Sequence, residues 1–157
     1  MLYVFDTSSF IVMSHYFPDR FPTFWEQMDE LVSSRTVVSV REVFNELNAQ
    51  LSKRSLIEDW IKAHKSIFCT PTTGEAEIVS QIFKIRKFQD IVRNKQLLKG
   101  MPVADPFVVA AAKSNEGCVV SEEVEKPNSA QIPNVCKHFA VDCTNLEGFM
   151  ARVGWRF

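Results

Sequence analysis

A chain of 157 residues, 46% hydrophobic and 24% charged, has the length and balance of one globular domain with its own core. The composition excludes a low-complexity or repeat protein, and no apolar run is long enough to span a bilayer. The net charge of −1 neither favours nor excludes nucleic acid as a partner. We expect a single soluble domain over 1–157, without a secretory signal and located in the cytoplasm.

The four cysteines are spread along the chain, which predicts reduced thiols rather than a disulfide framework. Cys136, His138 and Cys143 lie near one another in sequence, but their spacing matches no standard zinc site. Buried or loop cysteines are therefore the preferred interpretation, with zinc as the alternative.

The chain opens on an apolar run. Residues 2–5 predict a short buried strand that stops at Asp6, which three hydroxyl residues follow. Ser8 or Ser9 is predicted to cap a short helix that runs to Tyr16. In an open α/β sheet, ligands bind outside the carboxyl ends of the strands, so Asp6 is expected at such a rim.

The next segment predicts a helix, a strand and a second helix. Apolar residues at helical spacing predict a helix over 22–33. The β-branched run 36–40 is typical of a buried parallel strand. Ser39 and Glu42 have the spacing of a capping box, which places the following helix at about 40–51.

The middle of the chain predicts two more helices around a short strand. A helix is expected around Trp60 and a strand over 67–70. Thr72 and Glu75 form a second possible capping box, which would open a long helix reaching Val92.

The last third begins with Asp105 and Pro106, which have the residue types of an N-cap followed by the first helical position. The helix that follows is apolar all round over 107–112 and is expected to be buried. The remaining elements are a strand over 117–120, a strand over 140–143 and a helix over 146–153. Strands alternating with helices predict an α/β domain with a central parallel sheet flanked by helices.

Acidic residues stand at or just past the carboxyl end of a strand at four places: Asp6, Glu42 or Glu46, Asp105, and Glu122 or Glu123. Carboxylates are ligands of Mg²⁺ and Mn²⁺, and acids that converge need a cation to offset their repulsion. The set predicts a metal-dependent phosphodiesterase site. Each acid alone has an ordinary explanation as a turn, cap or loop residue.

Four segments carry a family resemblance: residues 4–9, 43–47, 104–112 and 119–123. Their order and spacing resemble a PIN domain of the kind found in bacterial VapC-type toxin ribonucleases, and in particular a small PIN-like family of unknown function. The resemblance implies a PIN-like three-layer sandwich and metal-dependent hydrolysis of RNA with a 5′-phosphate product. It also implies an antitoxin protein as partner, with a homodimer as a further expectation.

Carried over residue by residue, the resemblance assigns catalysis and Mg²⁺ or Mn²⁺ binding to four acids: Asp6, Glu46, Asp105 and Glu123. The fourth is usually an aspartate two residues after a hydroxyl residue, so Glu123 is one methylene longer than the pattern. The hydroxyls expected to support the site are Thr7, Ser8 and Ser121.

Basic residues supply the candidate contacts to RNA phosphates. The candidates lie near the acids in sequence or in a basic stripe over 84–99: Arg41, Lys84, Arg86, Lys87 and Lys113. A solvated helix face is the alternative explanation of the stripe. The aromatic cluster of Phe17, Phe21, Phe24 and Trp25 is expected in the core, and a groove for an antitoxin or a second copy is the alternative.

Two other enzyme or switch classes fit the sequence less well. A haloacid-dehalogenase-like phosphatase needs a second acid where this chain has Ser8, and a receiver domain needs an acid pair that is absent. A catalytically weak or inactive PIN-like scaffold stays open as the alternative, because Glu123 departs from the usual residue.

Overall fold

The computed structural model describes residues 1–50, 56–89 and 103–157. Within these ranges the strands are β1 Tyr3–Phe5, β2 Val37–Val40, β3 Phe68–Cys69, β4 Cys118–Val120 and β5 Asp142–Thr144. They form one sheet in the order β3-β2-β1-β4-β5, and every pair is parallel. The predicted α/β class with a central parallel sheet is confirmed.

The helices whose bounds are defined are α1 Thr7–Met13, α2 Pro22–Ser33, α3 Arg41–Gln50, α4 Leu56–Ala63, α5 Thr73–Lys84, α6 Asp105–Ser114, α7 Ile132–His138 and α8 Leu146–Arg152. Residues 86–89 are helical as well. A 3₁₀ turn over Lys65–Ile67 precedes β3. No helix in this part of the chain has the length and apolarity needed to cross a membrane.

Helices cover both faces of the sheet, which makes three layers. On one face, the ring of Phe149 in α8 packs edge-on against the rings of Tyr3 and Phe5. Side chains alternate along a strand, so Val4 points to the other face. Val38 pairs with Val4 and lines a cavity together with Ala111 of α6. The predicted flanking of the sheet by helices is therefore confirmed, with α6 opposite α8.

Helix α6 lies against β1, β2 and β4 and also packs on α5 and α7. Its residues Val108, Val109, Ala110 and Ala112 are fully buried, as its continuous apolar sequence predicts.

The carboxyl ends of the three central strands meet at one edge of the sheet. Phe5 pairs with Val120, and the backbone N–H of Asp6 donates to the carbonyl of Val120 over 3.1 Å. The Ser39 hydroxyl donates to the carbonyl of Phe5 over 2.6 Å. These bonds fix where β1 ends relative to β2 and β4, and they place Asp6 at this edge.

The predicted caps of two helices in the first third are wrong. Helix α1 is capped by Asp6, whose side chain accepts from the Ser9 N–H, and it ends at Met13. Neither Ser8 nor Ser9 is the cap, because Asp6 already accepts from the first turn of the helix. Ser39 lies within β2 and donates to a strand carbonyl, so α3 begins at Arg41 without the predicted capping box.

The second predicted capping box is confirmed. The Thr72 hydroxyl accepts from the Glu75 N–H, and the Glu75 carboxylate accepts from the Thr72 N–H, each over 3.2 Å. The predicted long helix is interrupted at Ile85, which has an extended backbone, and residues 86–89 are helical again. Val92 lies outside the described residues, as does the basic stripe from residue 90 onward.

The last third contains one wrong cap and one unpredicted helix. Ala104 is the N-cap of α6 and makes no side-chain cap bond, so Asp105 is the first helical residue rather than the cap. Helix α7 was not predicted, since its seven residues include Pro133 and are too few to show a helical period. Strand β5 extends to Thr144, one residue beyond the prediction.

Three helix-to-strand connections turn on a non-glycine residue with positive φ. Arg35, Glu116 and Ala140 have φ values of 57°, 49° and 53° and follow α2, α6 and α7. After each, a backbone N–H returns to a helical carbonyl, as Val141 does to Cys136 over 2.8 Å. This is the Schellman pattern, in which glycine is the usual residue at the turning position.

Candidate functional site

A cavity of about 160 Å³ opens at the carboxyl edge of the sheet. Its lining comes from three helices and the loop after β4: Asp6, Thr7, Ser8, Ile11, Glu46, Gln50, Asp105 and Glu123. The four acids of the sequence prediction therefore line one cavity, although they are far apart in the chain.

Asp6 is the most deeply held of these acids, with 4% of its surface exposed. Its Oδ1 accepts from the Ser9 N–H over 2.9 Å, and its Oδ2 accepts from the Ser121 hydroxyl over 2.8 Å. The Ser8 hydroxyl lies 2.9 Å from each carboxylate oxygen and donates to the group. Ser8 and Ser121 thus contact the first acid, where sequence reasoning expected supporting hydroxyls.

The surroundings of Asp6 act in opposite directions on its ionisation. The pKa of Asp6 is raised to about 7 from an ordinary 3.8, mainly by burial and to a smaller extent by the nearby charge of Asp105. The hydrogen bonds from Ser9, Ser121 and Ser8 lower the pKa but do not cancel the effect of burial. Burial therefore has a larger effect on the ionisation of Asp6 than its hydrogen bonds or the charge of Asp105.

Glu46 projects from α3 and is 6% exposed. Its Oε2 accepts from the Thr7 hydroxyl over 2.5 Å, and its Oε1 accepts from the backbone N–H of Ala104 over 2.9 Å. Glu46 therefore joins the start of α1 to the start of α6. Thr7, predicted as a supporting hydroxyl, supports the second acid and not the first.

Asp105 is the first residue of α6 and is partly buried. An acid in the first turn is stabilised by the partial positive charge of a helix N-terminus. Because Ala104 occupies the cap position, the Asp105 side chain is directed to the cavity lining rather than to a cap bond.

The adjacent acids after β4 have different environments. Glu123 lines the cavity, and its Oε2 accepts from the Ile132 N–H at the start of α7 over 2.7 Å. Glu122 does not line the cavity, and its Oε1 accepts from the Leu146 N–H at the start of α8 over 2.7 Å. Of this pair, the structure brings Glu123 to the other acids.

The other alternative in the sequence prediction was Glu42 in place of Glu46. Glu42 is buried in the first turn of α3 but does not line the acidic cavity. Its Oε1 pairs with the Arg41 guanidinium over 2.8 Å, and its Oε2 is buried without a hydrogen-bond partner in the described structure.

The predicted RNA-contacting residues differ in how near the structure places them to the acids. Lys84, Arg86 and Lys87 lie between Ile82 and Phe88, two residues that share a small apolar cavity with Asp105. The segment that carries the three basic residues therefore packs near Asp105, but none of the three lines the cavity of the acids.

Lys113 lies at the other end of α6, where its amine donates to the carbonyl of Phe139 over 2.9 Å. It shares a cavity with Gly117 and Asp142, which stand at the amino ends of β4 and β5. The structure does not bring Lys113 to the acids. Arg41 follows β2 at the acidic edge and is exposed.

The aromatic cluster is split between core and surface. Phe24 and Trp25 are 0% and 8% exposed, as expected for core residues. Phe17 and Phe21 are 53% and 39% exposed, so the expectation of core packing is wrong for these two.

Sequence reasoning missed two residues of the lining, Ile11 and Gln50. Each lies four positions after a lining residue, Thr7 or Glu46, and so on the same helix face. The helical period is the sequence signal that would have found them.

The atoms that the lining offers to a metal are oxygens of carboxylates, hydroxyls and the Gln50 amide, which suits a hard divalent cation. Across 1–50, 56–89 and 103–157, however, no three His, Cys, Asp or Glu side chains are grouped closely enough to form a ready metal site. This also applies to Cys136, His138 and Cys143. The acids thus match a cation in chemistry and charge, while their side chains are not arranged around one.

Residues 3–157 match a family model described as a domain of unknown function, DUF4411. No curated protein matches the sequence significantly. Among solved structures, the chain is similar to VapBC2 from Rickettsia felis bound to a DNA fragment from the promoter, with 15% identity, coverage of 92% of this chain and 98% of that chain, and a TM-score of 0.49. PAE2754 from Pyrobaculum aerophilum aligns with 12% identity over 89% of this chain and 97% of that chain, with a TM-score of 0.40. Neither alignment assigns an activity.

Proposed function

We propose that this chain, which belongs to the DUF4411 family, a domain of unknown function, is a metal-dependent endoribonuclease. The site supports metal-dependent hydrolysis, and RNA is the substrate that the resemblance to PIN domains implies. The observation that carries the proposal is the convergence of Asp6, Glu46, Asp105 and Glu123 on one cavity. The cavity lies at the carboxyl edge of a parallel sheet, where α/β proteins bind their ligands. We propose that the biological role is that of a toxin in a toxin–antitoxin pair.

The proposed cofactor is Mg²⁺ or Mn²⁺, held by Asp6, Glu46, Asp105 and Glu123. Support comes from the oxygen donors and from the raised pKa of Asp6, which burial and the charge of Asp105 produce. When bound, the cation supplies Lewis-acid activation of water and of the phosphodiester.

The chain's own side chains have separate tasks in this proposal. Thr7 orients Glu46, while Ser8 and Ser121 orient Asp6, so that both carboxylates keep fixed positions at the rim. Arg41, Lys84, Arg86 and Lys87 attract the phosphates of the RNA, which gives binding a dependence on salt. Lys113 is no longer part of the proposed contact surface, because it lies at the opposite edge.

Cleavage of a labelled single-stranded RNA in the presence of MgCl₂ or MnCl₂ tests the proposal. Asp6→Asn and Asp105→Asn are expected to lower the rate by about 100-fold or more, since each removes a ligand charge. Asp19→Asn makes the same change at an exposed aspartate and should leave the rate unchanged. The nuclease proposal would be refuted if the wild-type protein neither binds a divalent cation in calorimetry nor cleaves RNA.

A catalytically inactive scaffold is the second candidate, and one observation favours it. The Glu123 carboxylate accepts from the N-terminus of α7, and no three acids of the described ranges are grouped for ligation. Calorimetry separates the two functions, because the scaffold predicts no saturable cation binding while the nuclease predicts it.

The proposed partner is an antitoxin protein that covers the exposed aromatic side chains Phe17, Phe21 and Phe157, which are 53%, 39% and 63% exposed. A second copy of the chain is the alternative occupant. Light scattering of the chain alone tests the homodimer. Co-expression with the product of the adjacent gene, using wild type and a Phe17→Ser, Phe21→Ser variant, tests the antitoxin.

A further inference from the structure

Glu122 and Glu123, the two acids after β4, contact different helix starts. Glu122 lies outside the cavity, and its contacts indicate a role for it. We infer that Glu122 is a positioning residue that fixes the Asp6 carboxylate through Ser8. The inference rests on the proposed function, in which Asp6 is a cation ligand. Neither the cavity lining nor the resemblance to PIN domains gives Glu122 a task.

A continuous hydrogen-bonded path joins Glu122 to Asp6. The backbone N–H of Glu122 donates to the Ser8 hydroxyl oxygen over 2.9 Å. The Ser8 hydroxyl in turn donates to the Asp6 carboxylate, 2.9 Å from each oxygen. Because the oxygen of Ser8 already accepts from the backbone, the hydroxyl hydrogen is left directed at the carboxylate.

The Asp6 carboxylate has little orientational freedom left once this path is formed. A carboxylate offers about four acceptor positions, and the N–H of Ser9 and the hydroxyls of Ser8 and Ser121 take three. In the orientation that these donors fix, the carboxylate lines the cavity. Loss of the Ser8 contact would let the carboxylate rotate away from this orientation.

The side chain of Glu122 is what anchors its own backbone. Its Oε1 accepts from the N–H of Leu146, the first residue of α8, over 2.7 Å. This N–H has no partner within the helix, and a carboxylate at a helix N-terminus is favoured by the helix dipole. The N-cap of α8, Asn145, binds the Gly148 N–H instead, so Glu122 supplies the second bond of this helix start.

Three variants test the inference in metal-free and metal-titrated protein. Glu122→Ala removes the acceptor, Glu122→Gln keeps a neutral acceptor of the same shape, and Glu125→Ala removes an equal charge from an exposed position in the same loop. We expect Glu122→Ala to weaken Mn²⁺ binding by about tenfold in calorimetry, as loss of an outer-shell partner does. Glu122→Gln and Glu125→Ala should bind as the wild type.

Ser8→Ala removes the middle of the path without removing a bond to α8, and a double-mutant cycle with Glu122→Ala therefore tests the path itself. Ser8→Ala should reproduce the loss seen in Glu122→Ala, and the double variant should lose no more than either single variant. Additive losses would overturn the inference, as would an equal loss in Glu122→Gln, which would mean that the charge acts directly.

A second readout separates the inference from the proposed function. The ¹³C shift of the Asp6 carboxyl, measured in metal-free protein at one pH, should move in Glu122→Ala and Ser8→Ala but not in Glu122→Gln or Glu125→Ala. If the wild type binds no Mn²⁺, the nuclease proposal fails while this shift still decides the role of Glu122. An unmoved shift in Glu122→Ala overturns that role.

Discussion

At the scale of single residues, Asp6 has two tasks that oppose one another. It caps α1 through the Ser9 N–H, which favours the ionised carboxylate, and it is buried beside Asp105, which disfavours it. The second influence is larger, since the pKa of Asp6 is raised to about 7. The cap could have been expected from an acid before a helix, but the raised pKa depends on burial that only the folded chain supplies.

The raised pKa predicts how the stability of metal-free protein depends on pH. Between the ordinary 3.8 and about 7, the folded state binds more protons at Asp6 than the unfolded state does, so stability falls as pH rises. The total loss is on the order of 4 kcal/mol. In Asp6→Asn this loss is absent, so its free energy of unfolding should change less between pH 5 and pH 8.

Urea unfolding of wild type and Asp6→Asn in EDTA at the two pH values measures this difference. Asp19→Asn, at an exposed position, is the control and should follow the wild type. Equal changes with pH in wild type and Asp6→Asn would contradict a raised pKa at Asp6.

Thr7 supports a second prediction at this scale. Its hydroxyl donates to the buried Glu46 carboxylate, so Thr7→Val leaves that oxygen without this donor at almost unchanged volume. We expect a loss of about 1–3 kcal/mol in the free energy of unfolding, with Thr7→Ser close to wild type. Thermal unfolding of Thr7→Val and Thr7→Ser measures the two losses in stability. A similar loss in Thr7→Ser would mean that the methyl group of Thr7, and not its hydroxyl, provides the stability.

At the scale of elements, the start of a helix was harder to predict than its presence. The Thr72–Glu75 box formed as predicted, since both side chains are available to the backbone. The equivalent spacing at Ser39 and Glu42 failed, because Ser39 lies in a strand and its hydroxyl donates to Phe5. A local pattern cannot reveal such a bond, because the acceptor is 34 residues away.

The Schellman turn after α7 gives a prediction for Ala140. Positive φ destabilises a residue that has a Cβ atom by about 1 kcal/mol relative to glycine. Ala140 has a φ of 53°, so Ala140→Gly should raise the free energy of unfolding by about 0.5–1 kcal/mol. The same substitution at Ala151, inside α8 and exposed, should lower it by a similar amount. The Tm values of the two variants should therefore shift in opposite directions from the wild type. Shifts of both Tm values in the same direction would contradict the backbone argument.

At the scale of the whole molecule, the alternation of strand and helix predicted the parallel sheet, and the edge rule predicted where the acids meet. The residue pattern left open whether Glu122 or Glu123 is the fourth acid, although the family resemblance pointed to Glu123. The structure distinguishes the two acids. The N–H of Leu146 at the start of α8 donates to the Glu122 carboxylate, and Glu123 is the acid that lines the cavity. Helix α7, which Glu123 contacts, was itself not predictable from seven residues.

A cation that binds only the folded protein must stabilise it. With Mn²⁺ at 100 times its Kd, the wild type should gain about 2.7 kcal/mol, seen as a higher Tm. Asp6→Asn and Asp105→Asn should gain much less, because each lacks one carboxylate of the cavity. A wild-type Tm that does not respond to Mn²⁺ or Mg²⁺ would favour the inactive scaffold.

The open sheet has a very short strand at each of its two outer edges. The two outermost strands, β3 and β5, have 2 and 3 residues, so each presents only a few backbone groups to a strand from another molecule. Short edges are one way in which proteins resist sheet extension and fibre growth. Association through the described edges is therefore disfavoured, and self-assembly into filaments is not the expected fate of this chain at high concentration.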